Sequence, residues 1–132
     1  MSAGPPIPYE LIGGEAGVRA LVDRFYDLMD TLPEAATVRA MHARSLEVSR
    51  RKLFWFLSGW LGGPQLYVER FGHPRLRRRH FPFAIDTAAA DQWMLCMRRA
   101  LEETCADPDL RGFLEARFGE LAMHMRNQPD PT

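Results

Sequence analysis

Phe71-Gly-His-Pro-Arg-Leu-Arg-Arg-Arg-His-Phe-Pro-Phe83 is a short, strongly basic run bounded by two prolines. Pro74 suits the first turn of a helix, where its missing N–H would be unpaired in any case. Pro82 biases Phe81 away from helical geometry, so the predicted helix is little more than two turns and stops just after His80. A helix that short is marginal alone and needs an anchor. An imidazole at His80 bonded to a metal or cofactor would supply one. Two plainer readings compete. Arg75, Arg77, Arg78 and Arg79 also suit a solvated face or a nucleic-acid patch, and a lone histidine is more often a surface or core residue than a ligand. Charge at chain level weakens the patch: basic and acidic residues balance at 17 each, whereas nucleic-acid domains usually carry a basic excess.

The surrounding chain sets the context. Its 132 residues suffice for one core and one domain. With 46% hydrophobic and 11% aromatic residues, the composition is globular. No apolar run reaches membrane-spanning length and the start lacks a signal pattern, so a cytoplasmic location without membrane partners is expected. Cys96 and Cys105 lie nine apart in one helical pattern, too far to pair, and show no zinc spacing. The expected organisation is a loose tail over 1–8, a domain over 9–127 and a second tail over 128–132.

Helical spacing dominates that domain. After the break at Gly13-Gly14, Val18, Leu21, Val22, Phe25 and Met29 form one apolar stripe. Tyr26 leans toward the same face, and its hydroxyl there needs a buried partner. Pro33 opens a shorter turn through Val38 and Met41, ending near His42. Residues 46–61 predict a helix whose face joins Leu46, Ser49, Leu53, Phe56, Leu57 and Trp60, widened by Phe54, Trp55 and Leu61. Gly62-Gly63-Pro64 ends it, and residues 65–72 read as an irregular or briefly helical link. Beyond Pro82, Asp86 or Thr87 caps a helix with an inner stripe of Trp93, Met94, Met97, Ala100, Leu101 and Thr104. Asp107-Pro108 starts a last helix carrying Leu110, Phe113, Leu114, Phe118, Leu121, Ala122 and Met125. No strand is predicted: the fold class is all-α.

Small all-α domains build deep sites between helices. Tyr26, Trp93 and His42 point polar aromatics inward from separate segments, and each strands a donor unless something there accepts hydrogen bonds. Together with His80 they suggest a bound group with an electronegative atom on one side and a metal on the other.

The order Arg24-Phe-Tyr26, Trp60-Leu-Gly-Gly-Pro64, the run from Phe71 to Phe83, and Trp93 thirteen residues after His80 resembles the group II truncated haemoglobins. The resemblance covers roughly residues 9 to 125. It implies a two-over-two helical sandwich around one haem b, with the helix bearing the proximal ligand cut short. By position His80 matches the proximal histidine to iron, and Arg79 the arginine paired to a haem propionate. Lys52 is a second propionate candidate, a solvated lysine being its plain alternative. Tyr67 and His73 fall near the haem edge, and Leu53, Phe56, Phe83 and Met97 around the haem, with Phe56 and Met97 equally readable as simple core. Tyr26 and Trp93 match the distal hydrogen-bonding pair. Ser49 and Leu53 match the distal-helix positions facing the iron. Ser49 is short, so ligand control passes to Tyr26, Trp93 and His42; His42 stands at a corner where many members carry tyrosine or phenylalanine.

The implied function is binding of oxygen, and of carbon monoxide, nitric oxide, cyanide or similar small ligands. The main alternative is an enzyme: nitric oxide oxidation by bound oxygen, or a peroxidase-like reaction in which His42 moves protons. Either enzyme needs an electron donor that a chain this short does not contain. A helical interaction module using the arginine cluster is the third reading.

Overall fold

The computed structural model describes residues 7–73, 75 and 85–126. The helix expected to carry His80 therefore lies outside the described residues, as do His80, Arg79 and Phe83 themselves.

A four-residue helix, α1 (Pro8–Leu11), opens the described chain with proline in its first turn. No helix was expected there, since four residues are too few to show a period. The chain then reverses at Gly13, whose φ of 107° is left-handed. Next comes α2 (Gly14–Thr31), which buries Val18, Leu21, Val22, Phe25, Tyr26, Leu28 and Met29. Gly17 in its first turns is a contact requirement: a Cβ there would overlap the Ile12 carbonyl oxygen. A 3-10 turn (Pro33–Ala35) leads into the five-residue α3 (Ala36–Ala40), which ends just short of His42.

The helix α4 (Glu47–Trp60) follows, and its bounds agree with the expected 46–61 to within a residue. Its buried face agrees only in part, with Leu46 and Leu61 enclosed at its two ends. Phe54, Leu57 and Ser58 are the enclosed positions, whereas Leu53, Phe56 and Trp60 are only partly buried and pack at the core's margin. After the Gly62 turn (φ 96°), the link proves to be a short helix, α5 (Leu66–Phe71).

The remaining helices are α6 (Thr87–Thr104) and α7 (Pro108–His124). Asp86 caps α6 by accepting from the Ala89 N–H at 2.9 Å, and Asp107 caps α7 by accepting from the Asp109 N–H at 2.9 Å. α6 packs against α2 on one side and α7 on the other, while α2 also packs on α4, and α4 on α5. Thr87–Thr104 is thus the central helix of the packing, and the described residues hold no strand. Being covered on both sides, α6 encloses Cys96 as well as Met94, Met97, Ala100 and Leu101 of the expected stripe, while Trp93 and Thr104 are partly buried. α7 has one main neighbour, so Leu110, Leu114, Phe118 and Ala122 are buried while Phe113 is left 52% exposed. Among the described residues no helix is long and apolar enough to cross a membrane.

Candidate functional site

Helical spacing on α2 places Phe25 and Tyr26 side by side, their rings edge-on with centroids 4.9 Å apart. Phe25 also meets Trp93 of α6 edge-on at 5.1 Å. On its other flank Tyr26 meets His42 at 5.8 Å and 73°. Sequence positions 25, 26, 42 and 93 thus form one aromatic wall across three segments. Trp93 is backed by Phe118 of α7 at 6.1 Å, and Phe118 lies against Trp60 of α4 at 4.7 Å. Such edge-on contacts suit the ring quadrupoles and hold the wall's orientation.

The polar tips on this wall decide what it can do. Tyr26 is only 5% exposed, and the described residues give its hydroxyl no hydrogen-bond partner; the same holds for the Trp93 indole N–H. Yet no fully enclosed side-chain N or O among the described residues lacks a partner. The Tyr26 hydroxyl is therefore not wholly enclosed by the described residues. Burial pushes its phenol well above the usual tyrosine range, against a smaller opposing pull from the Arg50 charge. The hydroxyl is a neutral donor at any ordinary pH.

His42 is held differently. Its Nδ1 lies 2.9 Å from the Val38 carbonyl oxygen. A carbonyl only accepts, so Nδ1 carries the proton and, in the neutral ring, Nε2 carries the lone pair. Arg50 ties α4 to α2 beside Tyr26: its guanidinium donates to the Asp23 carbonyl at 2.9 Å and to Asp27 Oδ1 at 2.7 Å, and stands 5.9 Å from the Tyr26 ring centre.

A second aromatic set lines α4 and α5. Phe56 meets Tyr67 at 6.4 Å, and Tyr67 meets Phe71 at 4.8 Å. Lys52 Nζ sits 5.6 Å from the Phe71 ring centre, on an exposed side chain that forms no salt bridge among the described residues. Ser49 and Leu53 are partly buried on the adjoining turn of α4, Tyr67 is buried and His73 is exposed. His73 Nδ1 accepts the Arg75 N–H at 3.1 Å. Met97 is fully enclosed within the core cluster, so contact with a large bound group would require that packing to open.

Sequence reasoning gathered Tyr26, Trp93 and His42 correctly into one neighbourhood. It missed Gln92, whose Oε1 accepts the Val38 N–H at 3.1 Å across 54 residues; a polar residue beside Trp93, just off the inner stripe, was the available hint. It also missed Arg50, one of several arginines on α4 with nothing in the spacing to separate it.

An all-helical domain in which α6 packs on α2 and α7, and α2 on α4, with an aromatic wall carrying the Tyr26 and Trp93 donors, has the architecture of a small globin. Residues 8–127 match the family model described as "Bacterial-like globin". The chain belongs to this family, in its group II truncated haemoglobin branch. The group II 2-on-2 haemoglobin of Agrobacterium tumefaciens is 52% identical with a TM-score of 0.93, over 98% of this chain and all of that one. The group 2 truncated hemoglobin YjbI of Bacillus subtilis is 40% identical over 93% of this chain and 90% of its own length. A structure titled as a truncated oxygen-avid haemoglobin from Bacillus subtilis is 39% identical with a TM-score of 0.84, over 92% and 100% of the two chains. Membership makes this a haem-based binder of small gaseous ligands such as oxygen. The described residues fit the group: the buried Tyr26 hydroxyl and the partly buried Trp93 N–H, neither bonded among the described residues, suit a polar ligand, and exposed Lys52 is free of salt bridges among them.

Proposed function

We propose that the chain holds haem b through His80 and binds oxygen, with carbon monoxide, nitric oxide and cyanide as further ligands. A haem in the pocket supplies an iron whose open side takes such ligands. Tyr26 and Trp93 then donate to the ligand from the aromatic wall, and His42 stands beside Tyr26 at its rim. Arg79 and Lys52 pair with the propionates, while Ser49, Leu53, Phe56, Tyr67, His73 and Phe83 line the haem. Met97 supports this set from the core.

The observation that carries the reading is the pair of donors on one wall, buried Tyr26 and partly buried Trp93, unbonded among the described residues. A partly polarised ligand satisfies both by hydrogen bonds of roughly 1.5–3 kcal/mol each when charge-assisted. Slow release follows, which favours retention or chemistry over bulk transport, in keeping with a relative described as oxygen-avid.

The test is spectroscopic. The purified chain should show a globin Soret band with one haem per chain, and His80→Ala should lose haem or leave a weak, altered complex. A His80→Ala protein with an unchanged Soret spectrum and full haem content would remove His80 as the ligand.

A further inference from the structure

We infer that Gln92 is a positioning residue that fixes which ring nitrogen of His42 carries the proton. α3 has only five residues, too few to be stable unaided. Its third residue, Val38, is gripped from both directions. The Val38 N–H, one of the donors that a helix start leaves without an internal partner, is taken by Gln92 Oε1 at 3.1 Å. Only the oxygen of that amide can accept, so the Gln92 side chain has one orientation here. The Val38 carbonyl receives His42 Nδ1–H at 2.9 Å, together with the Met41 N–H at 3.1 Å.

Gln92 adjoins Trp93 on α6. The helix that presents Trp93 directly therefore also sets, through α3, where the Val38 carbonyl lies and hence how the His42 ring is turned. With Nδ1 committed to Val38, the neutral imidazole shows acceptor polarity at Nε2, on a ring that stands edge-on to Tyr26 with centroids 5.8 Å apart; burial keeps the Tyr26 hydroxyl protonated. The two neighbours then differ in sense: Tyr26 donates and neutral His42 accepts. Without Gln92, α3 can shift, the Val38 carbonyl moves, and the other tautomer, which would point a donor at the same space, becomes accessible.

This inference rests on reading Tyr26 and His42 as ligand-facing. The measurement is the ¹⁵N signature of the His42 ring in the diamagnetic carbonmonoxy protein, beside the infrared stretch of the bound carbon monoxide, which responds to nearby donors. Wild type should show the Nδ1–H tautomer. Gln92→Leu should shift His42 toward a mixture or the Nε2–H form and move the stretch. Gln92→Glu, whose carboxylate still accepts from Val38, should restore both signatures. Gln92→Asn, shorter by one methylene, should behave as Gln92→Leu does and serves if that variant does not fold. A wild-type ring with Nε2–H, or a His42 signature unchanged in Gln92→Leu and Gln92→Asn despite lower stability, would reduce Gln92 to a plain helix cap. A wild-type chain that takes up no haem would sink the functional reading instead, and the same ring spectra on that chain would still decide the tautomer.

Discussion

Ser58 and Tyr26 are both polar residues enclosed in this core, and the fold treats them in opposite ways. Ser58 sits at the end of α4, where its hydroxyl donates to the Pro64 carbonyl at 2.7 Å while the Gly63 N–H returns to the Ser58 carbonyl at 2.8 Å. α1 closes that corner by donating the Tyr9 N–H to the Leu61 carbonyl at 3.0 Å. The Ser58 hydroxyl and carbonyl each have a partner within six residues, and the Leu61 carbonyl is met from α1. Tyr26 shares a wall with Trp93, and neither has a hydrogen-bond partner among the described residues. A satisfied corner stabilises a chain reversal; an unsatisfied wall is the mark of a place kept for something else.

The contrast can be broken first at the corner. Gly17→Ala puts a Cβ into the Ile12 carbonyl where α1 turns into α2, and backbone on both sides cannot yield cheaply. A loss of about 3 kcal/mol in denaturant unfolding is expected, and a loss below a few tenths would show that the turn is not tight.

Trp93→Phe tests the wall. It keeps the ring packed against Phe25 and Phe118 and deletes the N–H. Oxygen release should quicken by about 10- to 150-fold, corresponding to one charge-assisted bond of roughly 1.5–3 kcal/mol. Carbon monoxide, less polar when bound, should be released with a smaller change. Equal acceleration of both gases in stopped-flow measurements would mean that the pocket had merely opened.

Ser58→Ala should cost about 1 kcal/mol of stability by removing the hydroxyl's bond to the Pro64 carbonyl, which keeps the Leu66 N–H at 2.9 Å, with oxygen release unchanged. If release changes as well, the corner and the wall are coupled. The smallest effect on stability belongs to Tyr26→Phe. Because the hydroxyl has no partner among the described residues, its removal should move the unfolding free energy by less than about 0.5 kcal/mol while oxygen release accelerates. A clear loss of stability in the haem-free chain would mean that the hydroxyl is bonded within the protein after all.

Much of the fold was legible in the sequence because helices declare themselves locally. The stripes of α2 and α6, the caps at Asp86 and Asp107, and the stop at Gly62 all follow from spacing and residue type within a few positions. What escaped depends on neighbours. Phe113 continues the α7 stripe yet stays half exposed because, among the described residues, α6 is the one helix that covers it closely. Ser58 looks like a solvent residue until the Pro64 carbonyl folds back over it. The same holds at the site. The aromatic wall could be assembled from three inward-pointing residues and a family pattern. The Gln92 contact could not, since Val38 is an ordinary apolar residue whose backbone, and not its side chain, makes the connection.

The double covering of α6 has a consequence for how the molecule breathes. Amides on a helix packed from both sides exchange with solvent only in large openings, whereas a five-residue helix at the surface opens in small, frequent ones. Trp93 rides on the slow element and His42 hangs from the fast one. Hydrogen exchange should therefore be slower along α6 around Trp93 than over Ala36–Ala40, so that the aromatic wall has one firm support and one that depends on the Gln92 and His42 bonds to Val38.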